Sequence, residues 1–292
     1  MNERANTNTA IWRSGSGPKL VLLHGEFADA RTYWGPISGA LASHFDLILP
    51  DLPGFGDSAP LPDYRPQTYL LWLKRLVDAL GLESGVGGRE SDEGRGETGP
   101  RPVDDGADDR PVEMTTREGG EAEQIILGGA GHGATIARLF AARHRALVRR
   151  LILSGGGSVE RPGPLRSLLS RLIPVPRVTP LSGGPRSVRD LFSDPDRYCT
   201  AELVDRFDST REATARIRRA FDQAPLPAAL TPVCTTLLLW GNEDRYCPIT
   251  AQEAIAAEIK DPRQVDIYDA GHLVMIEQPH RFSAHVLDFL QS

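Results

Sequence analysis

Residues 125–137 read IILGGAGHGATIA, and this segment decides how the rest of the chain is interpreted. Its apolar start predicts a buried strand, its run of small residues predicts a tight turn, and the rest predicts an amphipathic helix continuing to about Arg149. Strand, turn and helix in this order form a nucleophile elbow when the pattern is G-x-Nuc-x-G. Gly129 and Gly133 supply the flanking glycines. The nucleophile position is therefore Gly131, which carries no reactive side chain.

Two later strand ends carry an acid and a histidine. Residues 237–248, LLLWGNEDRYCP, predict an apolar strand that delivers Asp244 past its C-terminal end. Residues 265–268 predict another short strand, which is followed by His272 and then by a further helix. His272 therefore follows a strand as Asp244 does.

Two strands in the N-terminal part of the chain also run directly into loops. Residues 19–23 predict a strand that runs into HGEF at residues 24–27. Residues 45–50 predict a second strand, which runs into DLPGFGDS at residues 51–58. The glycines of this second loop are expected to shape a turn.

These four segments and the elbow resemble the α/β-hydrolase superfamily, in its small cofactor-independent branch of esterases, lyases and haloperoxidase-like enzymes. The chain order of nucleophile, acid and histidine is also that of the family. The resemblance covers nearly the whole chain except residues 84–122 and, loosely, residues 156–230. It implies an α/β fold with a doubly wound, mostly parallel sheet and a small helical cap, and it implies no cofactor.

The remaining segments predict an insert and a cap within one catalytic core. The core is expected to comprise residues 1–155 and 231–292. Residues 84–122 contain eleven acids and five arginines, which accounts for the whole formal net charge of −6. With almost no large apolar side chains, this segment is expected to be disordered. Residues 156–230 follow a strand end and are expected to form a cap, with helices near these positions: Leu165–Leu172, Val188–Phe192, Ala201–Phe207 and Arg211–Gln223.

The apolar residues of the cap have two interpretations. Residues such as Leu165, Leu191 and Phe192 either line a roof over an apolar substrate or pack the cap onto the core. The slight excess of arginine over acid in this region is too weak to indicate an anionic substrate.

Composition limits the location and the partners. No stretch approaches the length of apolar residues that spans a bilayer, and the N-terminus lacks a secretory h-region. Cys199, Cys234 and Cys247 are odd in number and lack metal spacing, so we expect neither disulfides nor a metal site. We therefore expect a cytoplasmic protein. Its expected partner is a small hydrophobic metabolite, and we expect no nucleic-acid or membrane partner. The oligomeric state stays open.

Asp244 and His272 are the candidate catalytic residues. The resemblance implies that His272 transfers protons and that Asp244 orients it, although the two could also form a structural pair. Ser154 ends a neighbouring strand and is a weak substitute for the missing nucleophile. Glycine at position 131 relieves the backbone strain of an elbow, about 1–3 kcal/mol, and leaves space for a substrate atom or a water.

Glu26, Phe27 and His132 are the candidate oxyanion-hole and substrate-binding residues. The backbone N–H groups of Glu26 or Phe27 and of His132 are expected to stabilise an oxyanion or enolate. The His132 side chain either reaches the cleft or only starts the helix. The Glu26 carboxylate either faces solvent or acts on the substrate.

These residues predict an acid–base reaction without a covalent intermediate. Elimination, decarboxylation or cyclisation of a hydrophobic carbonyl-containing metabolite, in specialised metabolism, fits a His/Asp dyad with oxyanion donors. One alternative is an ester or thioester hydrolase, either with direct attack by water or with a native serine exchanged for Gly131 by engineering. Another alternative is a pseudohydrolase that only binds a ligand.

Overall fold

The computed structural model describes residues 2–5, 8–81, 124–156, 187–223 and 231–292, and for residues 2–5 it describes the backbone alone. The predicted insert at residues 84–122 and the predicted cap helix at residues 165–172 lie outside this part of the chain. The full extent of the cap, residues 156–230, therefore stays a prediction.

Eight described strands form one sheet in the order β1-β2-β4-β3-β5-β6-β7-β8. The first three strands in this order pair antiparallel and all later neighbours pair parallel. The protein has the predicted doubly wound, mostly parallel sheet. The strands are β1 Asn2–Ala5, β2 Thr9–Ser14, β3 Lys19–Leu23, β4 Asp46–Pro50, β5 Ile125–Ala130, β6 Val148–Ser154, β7 Thr235–Gly241 and β8 Arg263–Ile267.

Helices cover the sheet, and a smaller helical group supplies the cap. A 3-10 turn, Val188–Leu191, precedes the cap helices. The core helices are α1 Ala30–Ala42, α2 Pro66–Ala79, α3 His132–Arg143, α7 Ile249–Ala256, α8 Val274–Glu277 and α9 Pro279–Gln291. The cap helices are α4 Pro195–Tyr198, α5 Ala201–Ser209 and α6 Arg211–Gln223.

The predicted end of the elbow helix is wrong. The helix α3 ends at Arg143, not near Arg149, because residues from Val148 onward belong to β6. Val148 pairs with Ile125 of β5, so the last residues of the predicted helix form the start of a strand. The predicted helix Val188–Phe192 is a 3-10 turn instead, and Phe192 is extended.

The sheet topology positions the candidate site. Strand β3 lies between β4 on one side and β5 on the other, so the strand order changes direction there. In such sheets a crevice forms beyond the C-terminal ends of the strands at the point of reversal. The C-terminal end of β3 leads into residues 24–27, and that of β5 leads into Gly131.

The core consists of apolar strands packed between helices. All residues of β5 are buried, and in β7 every residue after the first is buried. Such continuous burial is typical of parallel strands with helices on both faces. Among the helices in the described part of the chain, none combines the length and the apolar character that crossing a bilayer needs.

Candidate active site

Gly131 sits at the sharp turn between β5 and α3. Its φ of 52° and ψ of −124° lie where side chains with a β-carbon are strained. Its N–H donates to the carbonyl of Ser154 at 3.0 Å, which ties the turn to the neighbouring strand β6. A β-carbon on Gly133 would collide with the carbonyl oxygen of His24, and one on Gly129 would collide with the backbone of Gly133. Close packing therefore explains both flanking glycines.

Asp244 and His272 lie together past the ends of β7 and β8. Asp244 Oδ2 is 2.8 Å from His272 Nδ1. Asp244 Oδ1 accepts the backbone N–H groups of Tyr246 at 2.9 Å and Cys247 at 2.7 Å. The His272 N–H donates to the carbonyl of Leu191 at 2.8 Å. With Nδ1 engaged by the carboxylate, Nε2 is the atom of His272 that remains for proton transfer.

The surroundings of His272 favour its protonated form. Burial by itself lowers the pKa of His272, but the charge and hydrogen bond of Asp244 raise it, with further contributions from Glu26 and Glu277. The net effect places the pKa of His272 above its ordinary value of 6.5. The imidazole therefore holds its proton to higher pH than a free histidine does.

The carboxylate of Glu26 points into the site. The residue is 1% exposed, so the solvent-facing alternative is wrong. Oε2 accepts the backbone N–H of His132 at 3.1 Å and lies 2.9 Å from His132 Nδ1. Oε1 accepts the hydroxyl of Tyr246 at 3.1 Å. The amide of His132, which the sequence assigns to an oxyanion, is thus already bound to a carboxylate of the protein.

Glu26 also fills the space beside the missing nucleophile. A β-carbon on Gly131 would lie 2.7 Å from Glu26 Oε2, closer than real β-carbons approach another atom. Any side chain at position 131 would therefore require Glu26 Oε2, the end of a flexible side chain, to shift. The glycine and the glutamate fit each other.

The charge of Glu26 is stabilised by the two histidines. Burial raises the pKa of Glu26, but the charge and hydrogen bonds of His132 and the charge of His272 outweigh it. The pKa of Glu26 consequently lies well below its ordinary value of 4.5. This carboxylate is ionised throughout the neutral pH range.

Aromatic rings surround these polar groups. Phe27 is 3% exposed, and its ring meets those of Tyr246 and His272 edge-on at 5.3 Å and 6.0 Å between centroids. The cap adds two rings: Phe207 stacks on Phe27 at 5.6 Å, and Phe221 meets His132 at 5.2 Å. The predicted role of the Phe27 backbone as a donor stays a prediction, while its side chain forms a wall of the site.

The cap also contacts the loop that carries Glu26. The hydroxyl of Thr214, on α6, donates to the carbonyl of Glu26. Arg206, on α5, forms an ion pair with Asp29 at the start of α1. The described cap helices therefore lie directly over residues 26–29.

A buried glutamate holds the loop of His272. Glu277 is 3% exposed, and its Oε1 accepts the backbone N–H and the hydroxyl of Ser193 at 2.8 Å and 2.7 Å. Its Oε2 accepts the N–H of Gly271, the residue before His272. The predicted roof residue Leu191 is fully buried and contacts this loop through its carbonyl, which fits packing onto the core.

Ser154 lacks the partners of a nucleophile. Its hydroxyl is buried and has no hydrogen-bond partner within the described ranges, so no described base activates it. Sequence reasoning missed Tyr246, Phe207 and Phe221. Only Tyr246 carried a signal, since it lies two residues after Asp244.

Comparisons with known proteins agree with the fold. Residues 20–285 match the profile of the Alpha/beta hydrolase family. The chain is 25% identical over 308 positions to 2-hydroxymuconate semialdehyde hydrolase of Pseudomonas sp. strain CF600, covering 98% of this chain and 91% of that protein. It is 24% identical over 317 positions to 2-hydroxy-6-oxo-6-phenylhexa-2,4-dienoate hydrolase of Burkholderia cepacia, covering 99% and 94%.

A solved esterase from Thermogutta terrifontis has the same fold, with a TM-score of 0.68 and 24% identity over 100% of this chain and 97% of the esterase. The profile match covers most of the chain and includes the strand ends that hold Gly131, Asp244 and His272. The chain belongs to the alpha/beta hydrolase family.

Proposed function

We propose that this protein catalyses a proton-transfer reaction, without a covalent intermediate, on a hydrophobic carbonyl-containing metabolite. Elimination, decarboxylation and cyclisation are the reactions of this class. His272 carries the proton and Asp244 orients the imidazole.

One observation carries the proposal: Glu26 Oε2 takes the His132 amide and crowds the β-carbon position of Gly131. A serine hydrolase needs a nucleophile at the elbow and free N–H donors for the oxyanion of its tetrahedral intermediate. Here the first is absent and the His132 donor is occupied. The acyl-enzyme route is therefore disfavoured in this arrangement.

The remaining groups suit proton transfer at a carbon beside a carbonyl. His272 Nε2 is the atom that can accept or donate a proton. Burial lowers the pKa of His272, but Asp244 and Glu26 favour the imidazolium and raise the pKa above 6.5. A positioned acid or base of this kind contributes about 10² to 10⁴ in rate. The rings of Phe27, Phe207 and Phe221 favour an apolar substrate, and the ionised Glu26 disfavours an anionic group at the reacting end.

Hydrolysis by water is the second candidate, because the two relatives named above are both called hydrolases. In that reaction His272 would deprotonate a water that attacks the carbonyl directly. The names of the relatives also describe oxo and semialdehyde compounds, which supports a carbonyl substrate for this chain. A cytoplasmic location and a small-molecule partner belong to the same proposal.

The test separates the two reactions. The protein is incubated in D₂O with a panel of apolar ketones and 1,3-diketones, and deuteration of the α-carbons is followed by NMR. In parallel, p-nitrophenyl acetate reports ester cleavage. We expect deuteration above the buffer rate, lost in His272→Ala and retained in His280→Ala, a control at an exposed histidine.

Ester cleavage that depends on His272, without deuteration of any ketone, would replace the proposal with hydrolysis. Binding of these ketones without either reaction would instead favour the ligand-binding pseudohydrolase.

A further inference from the structure

We propose that Glu26 and His132 form a second acid–base pair and that the His132 side chain is a second proton carrier in this site. The inference deepens the proposed function and rests on it for the reaction concerned. The existence of the pair can be tested without any reaction.

The contacts of Glu26 distinguish it from a structural glutamate. Glu277, a similarly buried carboxylate, is held by three backbone N–H groups and a serine hydroxyl, none of which titrates near neutral pH. Glu26 is held by one backbone N–H, an imidazole and a phenol. Two of the three partners of Glu26 are therefore titratable side chains.

His132 has the exposure that a proton carrier needs. Its side chain is 19% exposed whereas that of Glu26 is 1% exposed. One ring nitrogen, Nδ1, faces the buried carboxylate at 2.9 Å. The ring meets that of Phe221 of the cap edge-on at 5.2 Å between centroids, so it lies against the cap. An imidazole oriented by a carboxylate through one nitrogen and available at the other is the arrangement also found at His272.

Tyr246 links the two pairs. Its backbone N–H donates to Asp244 Oδ1, its hydroxyl donates to Glu26 Oε1, and its ring meets that of His272 edge-on at 4.8 Å. Burial, followed by the charge of Glu26, raises the pKa of Tyr246 far above its ordinary value, so the phenol stays a donor. The positions of the two carboxylates are therefore coupled through one rigid side chain.

The second pair completes the proton balance of an enolisation. A neutral His272 takes a proton from the carbon beside the carbonyl and becomes the imidazolium that Asp244 stabilises, while a protonated His132 gives one to the carbonyl oxygen, and an enol results. The reverse transfers return the carbonyl compound with a proton from solvent on the carbon. No oxidant, reductant or other reactant is consumed.

The first experiment observes the imidazole of His132 by ¹⁵N NMR. The chemical shift of Nδ1 reports the hydrogen bonding of this atom, which lies 2.9 Å from Glu26 Oε2. We expect Glu26→Gln to change this chemical shift and Glu277→Gln to leave it unchanged. An unchanged chemical shift in Glu26→Gln would overturn the pair.

The second experiment tests the proton carrier with the ketone deuteration described above. His132→Gln keeps the backbone N–H and the polar contact to Glu26 but cannot transfer protons. We expect a loss of at least about tenfold in the deuteration rate, with ketone affinity within about tenfold of wild type. A wild-type rate in His132→Gln would overturn the catalytic role. If the wild type deuterates no ketone, the proposed function fails, while the chemical shift of His132 Nδ1 still decides the pair.

Discussion

Glu26 Oε2 lies 2.7 Å from the point where a β-carbon on Gly131 would sit. This relationship joins two segments that are far apart in the sequence, because a side chain at position 131 would require the Glu26 carboxylate to shift. It also turns the question of why glycine occupies the elbow into one that substitutions can answer.

Gly131→Ser alone should produce little esterase activity. The serine would meet the Glu26 carboxylate, which also occupies the His132 amide, and its backbone conformation would cost about 1–3 kcal/mol. The double change Gly131→Ser/Glu26→Ala removes the collision and frees the amide. We expect p-nitrophenyl acetate cleavage in the double variant to exceed that of either single variant by at least about tenfold.

Gly131→Ser/Glu26→Ala/His272→Ala is the control for that experiment and should lose the gain. Vigorous ester cleavage by Gly131→Ser alone would contradict the prediction. It would indicate that a serine was the original residue and that the protein is a serine hydrolase.

The stability contributed by His272 should depend on pH with a definite sign. Burial alone would lower the pKa of His272, but Asp244 and Glu26 raise it above 6.5, so the folded state binds the proton more tightly than the unfolded state. The stability that His272 contributes is complete below pH 6.5, the pKa of the unfolded state. It is lost as the pH rises through the pKa of the folded state. The difference in unfolding free energy between wild type and His272→Gln should shrink over this range.

Urea denaturation from about pH 5 to pH 9 measures this difference, with His280→Gln as the control at an exposed site. Asp244→Asn should remove most of the dependence, because the carboxylate that favours the imidazolium is gone. A difference that grows with rising pH would show that His272 is neutral when folded.

Removing the Glu277 carboxylate should displace His272. Glu277→Ala leaves the N–H groups of Gly271 and Ser193 without their acceptor, which costs about 1–3 kcal/mol for a buried group. We also expect slower ketone deuteration, because the loop before His272 loses its attachment to Ser193. Unfolding curves and deuteration rates check both effects, and wild-type values of both would contradict the role of Glu277.

Contacts from the cap should affect the rate more than the stability. Thr214→Val removes the hydroxyl that donates to the carbonyl of Glu26, and one such bond contributes about 0.5–1.5 kcal/mol. The nearby Arg219, whose Nε donates to a carbonyl of its own helix, offers a matched control as Arg219→Ala. We expect slower deuteration in Thr214→Val and not in Arg219→Ala; equal rates in the two variants would show that the cap does not position Glu26.

The sequence predicted those parts of the site that depend on local order. The apolar runs of β5 and β7 and the residues that follow them place Gly131 and Asp244 at strand ends, because parallel strands end at a common edge. His272 follows β8 for the same reason. The flanking glycines were predictable from the strand-turn-helix pattern alone.

The direction of the Glu26 side chain was not predictable in this way. It depends on His132, which follows β5, and on Tyr246, which follows β7, so three distant segments decide it together. The end of α3 was mispredicted because Val148, an apolar residue at the start of β6, suits a helix as well as a strand. Pairing of Val148 with Ile125 decides between them.

The mutual fit of Gly131 and Glu26 also bears on how such a site arises and persists. A serine at the elbow requires the Glu26 carboxylate to move, and loss of the glutamate leaves the His132 amide free but no nucleophile to use it. The two positions are expected to change as a unit during evolution, so a relative with serine at the elbow should lack glutamate at the position of Glu26.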